Sequence, residues 1–235
     1  MSKEDLELNE FQSMPTMIRY ENLLIILMAV FLGTTIATIV VPAWLPDFVR
    51  TVLGPDPKVF WFLSRGSAIA GYCLLWFSMV MGLLMTNKMA RAWPGGPTAY
   101  DLHQFVSLLG LGVVLFHGLI LIGDRYASFN LLTVLLPFAN PKYKPTWVGL
   151  GQLSFYFWGI IVFSFYIRKR IGITVWRLVH LTSFVAFLMG LIHGVMSGTD
   201  TSSLWATVLY WSSGGVLLFF SIYRLLSRLI PLYIK

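Results

Sequence analysis

Six stretches of the chain run for more than about 20 residues without an Asp, Glu, Lys or Arg: residues 22–46, 66–87, 102–123, 145–167, 178–199 and 201–223. A helix that crosses a bilayer needs about 20 mostly apolar residues, so each stretch predicts one span. A seventh stretch, 126–141, is shorter and contains Asn130, Pro137 and Pro141. It predicts a segment lying in the interface rather than a span. A tight turn at 197–203 joins the fifth and sixth spans. The expected fold is all-α, an integral membrane six-helix bundle. Residues 1–21 form its N-terminal tail, 22–226 the six-span domain and 227–235 a short C-terminus.

Composition agrees with that pattern. Of the 235 residues 57% are hydrophobic and 11% charged, where a soluble domain carries about 25% charged. The formal charge of +7 is spread over the ends of the apolar stretches. That is a membrane pattern, and nucleic acid is not an expected partner. Orientation follows the Lys and Arg of the short loops. With the N-terminus inside, the cytoplasmic side holds Lys3, Arg19, Lys88, Arg91, Arg168, Lys169, Arg170, Arg177, Arg224, Arg228 and Lys235, eleven of the 17. Arg50, Lys58, Arg65, Arg125, Lys142 and Lys144 fall outside. Both termini are therefore expected in the cytoplasm, and the location is the cell (inner) membrane. The first 21 residues carry five acids, so they do not resemble a cleavable signal with its basic start. The one cysteine, Cys73, sits in an apolar run and offers neither a disulfide nor a metal cluster.

All four histidines fall on two spans, His103 and His117 on the third, His180 and His193 on the fifth. Ionisable groups inside a membrane are costly and usually functional, and neutral imidazole is a common ligand of metals and haem iron. The first pair is separated by 14 residues, about 21 Å along a helix, and the second by 13, about 20 Å. The two spans run in the same direction. His103 therefore meets His180 in depth near the cytoplasmic side, and His117 meets His193 near the outer side. One ion holding all four is excluded by distance, because metal–ligand bonds are about 2 Å long. Two clamps, each holding one haem iron, fit. In angle, 14 residues return to within roughly 40° of the same helix face, whereas 13 miss by roughly 140°. The fifth span must therefore tilt, bend or present its ligands from different flanks, with Gly190 and Gly194 as candidate weak points.

Other residues are candidates for the same sites. Gly110 and Gly112 lie midway between the third-span histidines, where a porphyrin edge needs space. Gly118 and Gly194 each follow an outer histidine. Arg91 and Arg177 lie near the inner level and Arg65 and Arg125 near the outer level, where propionates need partners. Asp101 and Asp124 bracket the third span and can pair with these arginines. Tyr100, Phe105, Phe116, Phe184 and Phe187 are candidate porphyrin-lining rings.

LHQFVSLLGLGVVLFHG (102–118) and WRLVHLTSFVAFLMGLIHG (176–194) resemble the ferric reductase-like transmembrane domain family. That family includes ferric reductases, the membrane half of NADPH oxidases and the haem subunit of the bacterial methionine-sulfoxide reductase system. SRGSAIAGYCLLWFSMVMGLL (64–84) and the GTD after the last histidine also look like its short bacterial members, and the likeness covers roughly 60–211. It implies a six-helix bundle with two stacked b-type haems, the inner on His103 and His180 and the outer on His117 and His193. Electrons would enter from the cytoplasmic side. The sequence has no Gly-rich dinucleotide fingerprint. The expected donor is therefore a separate flavoprotein or a membrane quinol, and the acceptor an outer-side protein or small molecule. The expected function is a dihaem cytochrome b electron-transfer subunit, needing partners for any oxidoreductase activity. The alternative is an accessory subunit of a respiratory or photosynthetic complex. A histidine-based proton-coupled transporter fits less well, since other buried ionisable residues and broken-helix repeats are missing from the pattern.

Overall fold

The computed structural model describes residues 13–54 and 58–229. Among them there is no strand. Six helices are long and apolar enough to cross a membrane: Tyr20–Trp44, Val59–Thr86, Gly96–Gly123, Pro145–Tyr166, Ile173–Ser197 and Leu204–Ser227. The protein is a multi-pass membrane protein, and these helices are the first to sixth spans. The outermost parts of both expected tails, 1–12 and 230–235, lie outside the described residues.

The helices extend past the charge-free runs. The second span begins before Arg65, the third before Asp101 and the fifth before Arg177, while the sixth continues through Arg224. A charge near a helix end does not stop the helix, since an arginine there can carry its charge towards water on its long stem. Counting charge-free residues therefore places these ends too far inwards.

The second span is central: it packs along the third and touches the fifth and sixth. The fourth packs on the third and fifth, and the first lies against the third. Met81, Leu111, Trp158 and Phe187 belong to the buried cluster between these spans. Large apolar side chains cover the outside; Ile25, Leu178 and Phe219 are each more than 60% exposed. Apolar surface of this extent requires lipid or protein against it. The first span widens into a π-helical turn at Ile36–Val40, where the buried Thr38 Oγ1 donates to Thr34 O (2.8 Å). The helix Pro46–Leu53 that follows exposes Phe48 and Val52 on one side.

Two irregular segments are tied to the bundle. Residues 14–18 cross one end of it as a strap. Tyr100 Oη donates to Pro15 O (3.0 Å), Tyr166 Oη to Ile18 O (3.1 Å), Arg168 to Met14 O, and Met17 N–H to Gln104 Oε1 (3.1 Å). At the opposite end, the chain between the third and fourth spans folds inwards. Its short helix Leu131–Leu135 opens with a reciprocal cap between Asn130 and Thr133. Gln152 Nε2 of the fourth span donates to Thr133 O (2.8 Å) and Val134 O (2.7 Å), and Tyr156 Oη donates to Leu135 O. Gln152 lies seven residues into its span, about 10 Å along the axis. The segment expected to lie in the interface thus reaches into the bundle. Irregular backbone at such depth persists only where protein groups satisfy it, which is the role of Gln152 and Tyr156.

Candidate functional site

The third and fifth spans bring the four histidines together in two pairs. The ring centroids of His103 and His180 are 6.0 Å apart, and those of His117 and His193 are 6.3 Å apart. They are the inner and outer pairs of the expected orientation. Two imidazole nitrogens on opposite sides of one metal, each about 2.0 Å from it, put their ring centroids roughly 6 Å apart. Both pairs fit that spacing. Among the described residues no group of three or more His, Cys, Asp or Glu gathers at one point. Each pair therefore consists of two imidazoles with no third His, Cys, Asp or Glu among the described residues beside them.

The fifth span solves its phase problem by breaking. It consists of helices Ile173–Leu181 and Ser183–Ser197, with Thr182 between them. Thr182 N–H and Oγ1 both bond back to Val179 O, at 3.1 and 2.6 Å. This tightens one turn just past His180, and a hydroxyl bonding backwards bends helices. The expected weak points do other work. A Cβ at Gly190 would stand 3.2 Å from Ser154 Oγ, and one at Gly194 would stand 3.0 Å from Tyr210 Oη.

Three of the four rings are seated the same way. His103 Nδ1 lies 2.9 Å from Ser78 O, His117 Nδ1 2.9 Å from Ser64 O, and His193 Nδ1 2.8 Å from Trp147 O. A carbonyl only accepts, so Nδ1 carries the proton in each, and Nε2 keeps a lone pair able to bind a metal. Metal-binding histidines are commonly oriented by such a bond. A small residue follows each carbonyl at i+4, on the same helix face: Gly82 after Ser78, Ala68 after Ser64, Gly151 after Trp147. At Gly151 the approach is closest, since a Cβ there would stand 2.5 Å from His193 Nδ1. Hydroxyls extend two of the seats. Ser64 Oγ is 3.0 Å from His117 Nδ1; Ser78 Oγ is 3.2 Å from His103 Nδ1 and 2.6 Å from Ser107 Oγ. His180 differs. Its ring stacks on Trp176, one turn earlier in its own helix, with centroids 5.0 Å apart and planes at 24°.

The outer pair lines a cavity of about 230 Å³ enclosed by the second to sixth spans and the inward-folded segment. Phe129, Val134 and Leu135 close it from that segment, and Trp158 bounds it at mid-depth. At its rim Arg65 forms a two-pronged ion pair with Asp200, one contact being Nε to Oδ2 at 3.0 Å. This geometry is the strong form of an arginine–carboxylate contact.

Several expected partners fall elsewhere. Arg65 lines the outer cavity, but its acid is Asp200; Asp124 instead accepts from Ala127 N–H (2.8 Å). Gly110 makes room for Trp158, whose Cη2 would stand 2.5 Å from a Cβ there, and not for a porphyrin edge. Gly112 faces open space. Of the five expected lining rings, Tyr100, Phe105 and Phe184 lie close in sequence to the inner histidines, while neither Phe116 nor Phe187 borders the outer cavity; Phe187 stacks on Tyr72 (5.8 Å). Trp61, Tyr143, Phe155, Trp158 and Tyr210 border it instead. Sequence reasoning also missed Ser64 and Ser78. Their separation of 14 residues on the second span equals that of His103 and His117 on the third, and this match was the available signal.

Comparison with protein-family models, with curated proteins and with solved structures finds no match for this chain.

Proposed function

We propose that this chain is a dihaem cytochrome b of the ferric reductase-like kind, which passes electrons through the cell membrane from an inner to an outer ligand pair. His103 and His180 would hold the inner haem, His117 and His193 the outer. The observation that carries the reading is the pair of centroid distances, 6.0 and 6.3 Å, joined to the carbonyl bonds that leave Nε2 as the ligand atom. A haem held between two such imidazoles would supply one-electron chemistry, and it would pass its electron to an acceptor without binding that acceptor.

The chain's own residues do the rest. Ser64, Ser78 and Trp147 fix three rings in depth and orientation. Trp158 is buried against Gly110, midway between the third-span histidines, and keeps water out of the layer between the pairs. Arg65, held by Asp200, sets positive charge at the outer rim, where an acidic substituent of the porphyrin would be neutralised. The Lys and Arg distribution supports both termini in the cytoplasm. A separate flavoprotein or a quinol supplies electrons inside, and a protein or small molecule accepts them outside.

The test is a reduced-minus-oxidised absorption spectrum of purified protein with haem counted per chain. Two b-type haems per chain is the expected result. Well-folded protein without haem would end this reading.

A further inference from the structure

We infer that the two ligand pairs hold iron at different potentials, the inner pair at the higher one, because His180 alone rests on an indole where the other three histidines donate to a carbonyl. The inference rests on the dihaem reading above.

Both outer rings donate Nδ1–H to a main-chain oxygen, His117 to Ser64 at 2.9 Å and His193 to Trp147 at 2.8 Å. An imidazole whose N–H is drawn to an acceptor is a more basic ligand. It favours the oxidised, more positive iron and lowers its reduction potential, one of the levers by which a protein sets that potential. The inner pair has one such ring, His103 on Ser78 O. Among the described residues His180 makes no hydrogen bond through its ring; its neighbour is Trp176, stacked at 5.0 Å. A π-face orients the imidazole without drawing on its proton.

Trp176 is thus a positioning residue that acts through His180. A chain carrying one electron keeps it at the inner pair, and the outer pair is the stronger reductant. In the proposed orientation a negative-inside membrane potential favours the outward movement of an electron, which offsets this uphill step.

The experiment is anaerobic potentiometry of the purified full chain, followed by visible absorbance, for wild type and for Trp176→Leu, Trp176→Phe and His193→Ala. Two b-type components are expected. Trp176→Leu moves the higher one alone, Trp176→Phe moves it less, and His193→Ala leaves one component near the higher value. The inference is overturned if the two components coincide, if Trp176→Leu moves the lower one, or if His193→Ala retains the lower value. Absence of haem from folded wild-type protein would overturn the dihaem reading itself, and this inference with it.

Discussion

The inner and outer histidine pairs share a spacing and differ in how they are built. At the outer pair, two neighbouring spans each lend a carbonyl, and the chain between the third and fourth spans folds in to close the cavity. At the inner pair, one ring is seated on the second span and the other is held within its own helix by Trp176. The outer site is thus assembled from distant parts of the chain, whereas half of the inner site is local. A local contact survives small shifts between helices; a seat on a neighbouring span does not. The outer site should accordingly be the more easily lost of the two.

Removing a ligand gives the largest effect. His117→Ala should lower haem from two per chain to one and abolish transfer across the membrane, while the inner component stays reducible by dithionite. His103→Ala should spare the outer component in the same assay. Undiminished transmembrane transfer in His117→Ala would mean that the two pairs do not act in series.

The two glycines offer a finer comparison. A Cβ at Gly151 would press on the His193 ring at 2.5 Å, whereas one at Gly82 would meet His103 Cε1 at 3.5 Å, an ordinary contact. Overpacking a close-packed site costs about 1–3 kcal/mol. Gly151→Ala should therefore lower both the melting temperature and the haem content, the loss falling on the outer component. Gly82→Ala should change neither by much. Equal losses from the two substitutions would show that the seats are equally tight, and the asymmetry argued here would fail.

The six spans and the four histidines are legible in sequence because both rest on one-dimensional facts: an apolar run of membrane length, and a spacing in residues that converts to depth. Which rings meet also follows from depth alone. The seats are harder to read, since their acceptors are main-chain carbonyls of Ser78, Ser64 and Trp147, and every residue has a carbonyl. The small residue at i+4 is visible only once the seat is known. Gly110 shows the converse, where a glycine at the expected depth serves Trp158. The phase mismatch of the fifth span left tilt, bend or different flanks open, and the break falls at Thr182, away from the expected Gly190 and Gly194, because its hydroxyl bonds back to Val179. Gln152 and Tyr156 look like two polar residues stranded in an apolar span until the segment they hold is in view.

The smallest effect belongs to the roof of the outer site. Tyr143 lies between the third and fourth spans, borders the outer cavity, and donates through its hydroxyl to Ser197 O at 2.9 Å. Burial, with a lesser contribution from nearby Tyr126, raises its pKa above the ordinary 10.0. The neutral phenol is thus favoured in the folded state. Below pH 10 the phenol is protonated whether the chain is folded or not, and its contribution is fully present. Above pH 10 the unfolded chain releases the proton first, so stability falls with rising pH until the folded phenol ionises too. Tyr143→Phe removes one hydrogen bond, worth about 1 kcal/mol, and also removes that alkaline loss. Melting curves of the two proteins should differ modestly at neutral pH, with wild type the more stable, and converge as the pH passes 10. A gap that stays constant across that range would mean that the Tyr143 hydroxyl is open to water, and that the roof over the outer pair is looser than its hydrogen bonds imply.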